Sequence, residues 1–129
     1  MADVNRGNRP LSPHLSVYNQ SYTGTLSILH RLTGMAMAVA GVLVVWWFLA
    51  AAVGPDYFAL ADWVLTSFLG HLVMIGALWA LAYHLCNGIR HLWWDSGHGF
   101  ELEQVRMSGL VVLTCSGALT VLVLLIANL

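Results

Sequence analysis

The chain has 129 residues, of which 59% are hydrophobic and 9% charged, against roughly 25% charged in a soluble domain. All five basic residues are arginines and the six acidic ones nearly balance them. With no basic patch to meet a phosphate backbone, nucleic acid is excluded as a partner, and the chain reads as one integral membrane domain over residues 1–129.

The N-terminal arm, residues 1–26, contains Arg9-Pro10-Leu-Ser-Pro13-His14-Leu-Ser-Val-Tyr18. Two prolines and no helical period make it an ordered or partner-bound extension. Three apolar stretches follow: residues 32–53, about 64–86, and about 107–127. Each is about 22 residues long, enough at helical rise to cross a hydrocarbon core of ~30 Å. The predicted fold is therefore all-α, three transmembrane helices. Ala50-Ala51-Ala52 resembles a signal-peptide cleavage site, but the apolar run before it starts too late and is too long for that reading.

The first link, Gly54-Pro55-Asp56 through Asp62, holds acids and no base, whereas the arm carries Arg6 and Arg9 and the second link carries Arg90 and Arg106. Basic residues stay on the cytoplasmic side. The expected orientation thus has the N-terminus and second link in the cytoplasm and the C-terminus outside. Tyr57, Phe58 and Trp63 mark the outer interface and Trp93-Trp94 the inner one, while Trp46-Trp47 sits deeper and reads as plain apolar bulk. Small residues such as Gly34, Ala38, Gly41, Gly76 and Ala77 allow close helix approach, so a chain this short is expected to pack against further subunits in a larger helix bundle. Cys86 and Cys115 have no metal-type spacing and read as small core residues.

Chemistry concentrates in two places. Ser27-Ile-Leu-His30-Arg31 precedes the first span, and His84-Leu-Cys-Asn-Gly88-Ile-Arg90-His91 closes the second. With the inner boundary drawn near Arg31 and Arg90, His84 lies roughly 9 Å inside it. A histidine there needs a partner at each ring nitrogen, and iron at one with a hydrogen bond at the other is one solution. A bond to a neighbouring Ser, Thr or Tyr is the alternative. A low-spin haem would need a second ligand at that depth, where this chain has only Met37, Thr114 or Cys115, so the ligand would come from another subunit or, less readily, from Met35 or Met37. His71 lies about 20 Å outward on the same helix and points elsewhere, so it is read as a non-ligand. Ser27 and Arg31, at i and i+4, share a face. They could hydrogen-bond the carbonyls of a quinone, or be a helix-start serine and a snorkelling arginine.

Together, the arm sequence, the Ser27-Ile-Leu-His-Arg-Leu-Thr-Gly34 block and the His84-Leu-Cys-Asn-Gly-Ile-Arg-His-Leu-Trp-Trp-Asp95 block resemble the cytochrome b subunits of succinate dehydrogenase, the larger of its two membrane anchors, in the alphaproteobacterial and mitochondrial branch. The resemblance covers nearly the whole chain. It implies that His84 is an axial ligand of one haem b, shared with a second anchor subunit that supplies the other histidine. It further implies that Ser27 and Arg31 line a ubiquinone site, and that His30 and Arg31 lie near the haem propionates. His91 could bond a propionate or serve the helix end, and Asp95 could join a proton path, cap the helix or pair with Arg90. The implied partners are an iron-sulfur subunit, a flavoprotein subunit and the bilayer, in a bacterial inner membrane with a periplasmic C-terminus. With no flavin fingerprint or cysteine cluster in the chain, succinate oxidation belongs to other subunits. The alternatives are an anchor of a quinol:fumarate reductase, or a small non-redox membrane protein.

Overall fold

The computed structural model describes residues 18–127; the arm sequence from Arg9 to Val17, and with it the reading of an ordered extension, lies outside the described residues. Four helices and no strand occur among them: α1 Tyr22–Val53, α2 Pro55–Thr66, α3 Phe68–Asp95 and α4 Leu102–Ala127. Three of these, α1, α3 and α4, are long and apolar enough to cross a membrane.

The helices differ from the sequence expectation at their ends. Residues 32–53 and 107–127 are the apolar portions of longer helices, because hydropathy sees only the hydrocarbon layer, whereas the stretch 64–86 straddles Ser67, its first three residues ending α2 and the rest lying in α3. The 32 residues of α1 span about 48 Å, more than the roughly 40–45 Å of a bilayer with its headgroups. The arm accordingly ends at Ser21 rather than at residue 26, and Ser21 caps α1 by accepting the Gly24 amide at 3.1 Å. The link from Gly54 to Asp62 is mostly helical. Gly54, at φ +149°, makes the turn, and Pro55 opens α2, where its missing N–H costs nothing. Ser67 then interrupts the helix between α2 and α3. Its hydroxyl donates to the Val64 carbonyl at 2.7 Å and accepts the Gly70 amide at 3.1 Å, ending one helix and starting the next.

Helix α2 is tied to the end of α1. The Trp46 indole donates to the Tyr57 hydroxyl at 2.9 Å and that of Trp47 to the Asp62 carboxylate at 3.4 Å, with Phe58 edge-on against Trp47. The tryptophan pair is thus a hydrogen-bonded hinge-pin rather than plain bulk. Aromatic N–H groups at such depth find polar partners when they can.

Helix α3 is central and packs against both α1 and α4, which meet each other less extensively. They do meet at Gly109: a Cβ there would stand 2.6 Å from Leu26 Cδ1 and 2.8 Å from Tyr22 Oη, so a larger residue would have to displace these two side chains. The small core is Leu26, Tyr83 and Val112, flanked by Leu29, Trp79, Cys86 and Leu113. Most other large apolar side chains of the spanning helices face outward, as Val42 at 68% and Phe48 at 62% exposure illustrate. Lipid or further subunits cover that surface in a membrane.

Candidate functional site

Tyr83 sets the register of the site. Fully buried, it donates its hydroxyl to the Leu26 main-chain carbonyl at 2.9 Å, which pins α3 against α1. One residue on, and one turn along α1, His84 meets His30, Thr33 and Gly34. Nδ1 of His84 lies 3.1 Å from the His30 carbonyl and 3.4 Å from Thr33 Oγ1. The Thr33 hydroxyl spends its own proton on that same carbonyl, at 2.9 Å. A carbonyl can only accept, so Nδ1 carries the imidazole proton. In a neutral ring, Nε2 is then left with its lone pair.

Gly34 makes the approach possible. A Cβ at this position would stand 3.1 Å from His84 Cε1 and 3.5 Å from Nδ1. Further along the α1–α3 contact, and not lined by His84, runs an apolar groove of about 300 Å³ bordered by Met37, Gly41, Val44, Met74, Ala77 and Leu81 among others. His84 meets α1 at Thr33 and Gly34, so the depth match expected at Met37 is displaced by about one turn, in the register that the Tyr83–Leu26 bond sets.

Three histidines come together. His30 stacks on His84 with ring centroids 3.9 Å apart and planes 15° from parallel, and His91 lies 5.0 Å from His30 at a tilt. Nδ1 of His30 is buried with no hydrogen-bond partner among the described residues. Stacked face to face, His30 cannot hold the far side of an iron bound to His84. His91 is occupied at Nε2, 3.3 Å from Asn87 Nδ2. His71 is remote: exposed in the first turn of α3, with Nδ1 3.1 Å from the Ser67 carbonyl. Although His30, His84 and His91 cluster, among the described residues no three His, Cys, Asp or Glu side chains are arranged to hold a metal ion by themselves.

Ser27 and Arg31 lie on adjacent turns of α1, Ser27 half-buried and Arg31 exposed. At about 100° per residue they fall with Gly34 inside an arc of roughly 60°. This is the side of α1 on which His84 approaches. Ser27 stands inside α1 rather than at its start, since the cap is Ser21.

Arg90 is the residue whose role the sequence hid. Only 6% exposed, it donates through Nε to Ser108 Oγ at 2.9 Å, through Nη2 to the Val105 carbonyl at 3.0 Å and through Nη1 to Asn87 Oδ1 at 3.3 Å. Its guanidinium also lies 4.0 Å from the centre of the Trp94 ring. Asp95 is exposed, and among the described residues Arg90 pairs with these groups and not with it. The Asn87, Arg90, Trp94 spacing on one helix face was the available signal.

The sequence model of the family described as succinate dehydrogenase/fumarate reductase transmembrane subunit matches residues 5–124. The chain belongs to this family. Among its relatives, a succinate dehydrogenase cytochrome b556 subunit of Paracoccus denitrificans is 49% identical over 126 residues, 98% of this chain and 97% of the relative. The protein of the same description in Rickettsia felis is 41% identical, covering 88% of this chain and 89% of its own. A succinate dehydrogenase cytochrome b560 subunit of Marchantia polymorpha is 38% identical, covering 89% and 88%. This member of the family is a multi-pass membrane anchor subunit of succinate dehydrogenase, part of an oxidoreductase and without a dicarboxylate active site of its own.

Proposed function

We propose that this anchor holds one haem b through Nε2 of His84 and borders a ubiquinone-reducing site with Ser27 and Arg31. The observation that carries the reading is the paired contact of His84 Nδ1 with the His30 carbonyl and Thr33, which commits the proton to Nδ1 and frees Nε2. A carbonyl behind a ligating imidazole fixes its ring and raises its basicity. The buried, unpartnered Nδ1 of His30 supports a polar group arriving from outside the chain. The relatives' description as cytochrome b subunits agrees.

A bound haem supplies a one-electron store beside the quinone. This chain's residues do the rest. Thr33 and the α1 carbonyl hold His84 in one orientation; His30, His91 and Arg31 offer N–H groups to the haem carboxylates; Gly34 keeps the wall thin. The hydroxyl of Ser27 and the guanidinium of Arg31 hydrogen-bond the quinone oxygens and stabilise the negative charge that develops there during reduction. A second histidine to hold the haem would come from a second anchor subunit, since the described residues of this chain offer none other than His84 that could share it. Electrons arrive from succinate through flavoprotein and iron-sulfur subunits at the cytoplasmic face of a bacterial inner membrane, with this chain's N-terminus on that side and its C-terminus in the periplasm.

The test is His84→Leu in the assembled complex. The low-spin bis-histidine signal of the reduced and oxidised complex should vanish or convert to a different ligation. An unchanged bis-histidine spectrum would place the ligand elsewhere.

A further inference from the structure

The buried guanidinium of Arg90 reaches beyond the α3–α4 contact. A guanidinium has only donors, so the Asn87 atom 3.3 Å from Nη1 is the amide oxygen. The amide nitrogen then faces His91 Nε2 at 3.3 Å, and because that nitrogen also only donates, Nε2 must accept. An imidazole that accepts at Nε2 carries its proton at Nδ1.

We infer that Arg90, acting through Asn87, holds His91 as the neutral Nδ1–H tautomer and so makes it a fixed hydrogen-bond donor beside the His30–His84 stack. Asn87 is fully buried, so water does not compete for its amide. The opposite tautomer would set the Nε2 proton against two amide protons, and flipping the amide to relieve that would turn its NH2 against the guanidinium. Arg90 itself cannot swing away, because Ser108 and the Val105 carbonyl of α4 hold its other nitrogens and Trp94 covers its face. Helix α4 contributes no side chain to the histidine cluster, yet through this one guanidinium it selects which nitrogen of His91 carries the proton.

Arg90 and Asn87 are positioning residues: they act on His91, and neither is among the groups assigned above to the haem or the quinone. Among the described residues nothing accepts from His91 Nδ1, and a fixed N–H there suits an anionic carboxylate. That this carboxylate is a haem propionate rests on the function proposed above; the tautomer does not.

The assembled complex, labelled with 15N-histidine and reconstituted in bilayers, gives a direct reading by solid-state NMR. His91 is identified by the signals lost in His91→Gln. In the wild-type complex a protonated Nδ1 and a bare Nε2 are expected. Asn87→Leu removes the restraint, so Nε2–H should become populated. Asn87→Asp, nearly isosteric, replaces the donor with acceptors and should protonate Nε2. A wild-type proton on Nε2 overturns the inference, as does an Asn87→Leu spectrum identical to wild type. If Asn87→Leu does not assemble, the wild-type complex and Asn87→Asp decide. Haem content measured on the same samples tests the proposed function separately: a complex without haem that still shows bare Nε2 retires the haem and keeps the relay.

Discussion

Gly34→Ala separates the needs of the helix from those of the site. In the interior of α1, alanine is favoured over glycine by about 1 kcal/mol, so the helix gains. The new methyl would stand 3.1 Å from His84 Cε1, whereas carbon atoms prefer roughly 3.5–4.0 Å. The ring must retreat by about 0.4 Å or more. Its Nδ1 sits 3.1 Å from the His30 carbonyl, and a retreat of that size carries the bond to about 3.5 Å, the edge of a useful hydrogen bond. The lost bond is worth about 1 kcal/mol, so assembly should hold while the orientation of His84 fails. The assay is haem per flavin in purified complex, with the paramagnetic spectrum of the oxidised haem. Gly76→Ala is the control, since a Cβ there meets nothing within 4 Å. The expected result is reduced haem occupancy or a shifted low-spin spectrum in Gly34→Ala alone. Wild-type occupancy and spectrum in Gly34→Ala, or equal loss in the control, would refute the reasoning.

Ser27→Ala should lower ubiquinone reduction by roughly fivefold, the weight of one neutral hydrogen bond, and Arg31→Leu by about tenfold or more, while dye-linked succinate oxidation stays intact in both. Wild-type quinone kinetics in both variants would mean that partner subunits build the site. A reporter fused after Leu129 should be active only when exported; cytoplasmic activity would reverse the orientation and move the quinone site to the other face. Gly70→Ala places a methyl against the main-chain carbonyls of Val64 and Leu65, which cannot yield without opening the α2–α3 turn, and should cost about 2 kcal/mol or more. Its readout is the yield and thermal stability of assembled complex, which should fall well below those of Gly76→Ala.

The spans and the histidine positions were legible because apolar length and buried ionisable side chains are visible residue by residue. What escaped was pairing. Arg90 counts as a basic rim residue in any charge tally, yet Ser108 and Val105 of another helix bury it. The α2 helix escaped because a short segment opened by Gly54-Pro55 and carrying Asp56 and Asp62 reads as a link, and what ties it down is its pairing with Trp46 and Trp47 of α1. His84 showed the opposite pattern: the sequence named the residue and left open whether iron or a hydroxyl met it. Thr33 and the His30 carbonyl serve one nitrogen only, so the hydroxyl reading accounts for half of the ring.

The acceptor that orients His84 is part of the main chain, and every residue type brings the same one. That carbonyl contact therefore survives any residue at position 30 that keeps α1 helical, whereas the ring stacked on His84 at 3.9 Å does not. Positions 33 and 34 have no such latitude, one needing a hydroxyl and the other needing nothing at all. The support of His84 is thus divided between a main-chain atom that any helical sequence supplies and side-chain conditions at positions 30, 33 and 34 that it does not.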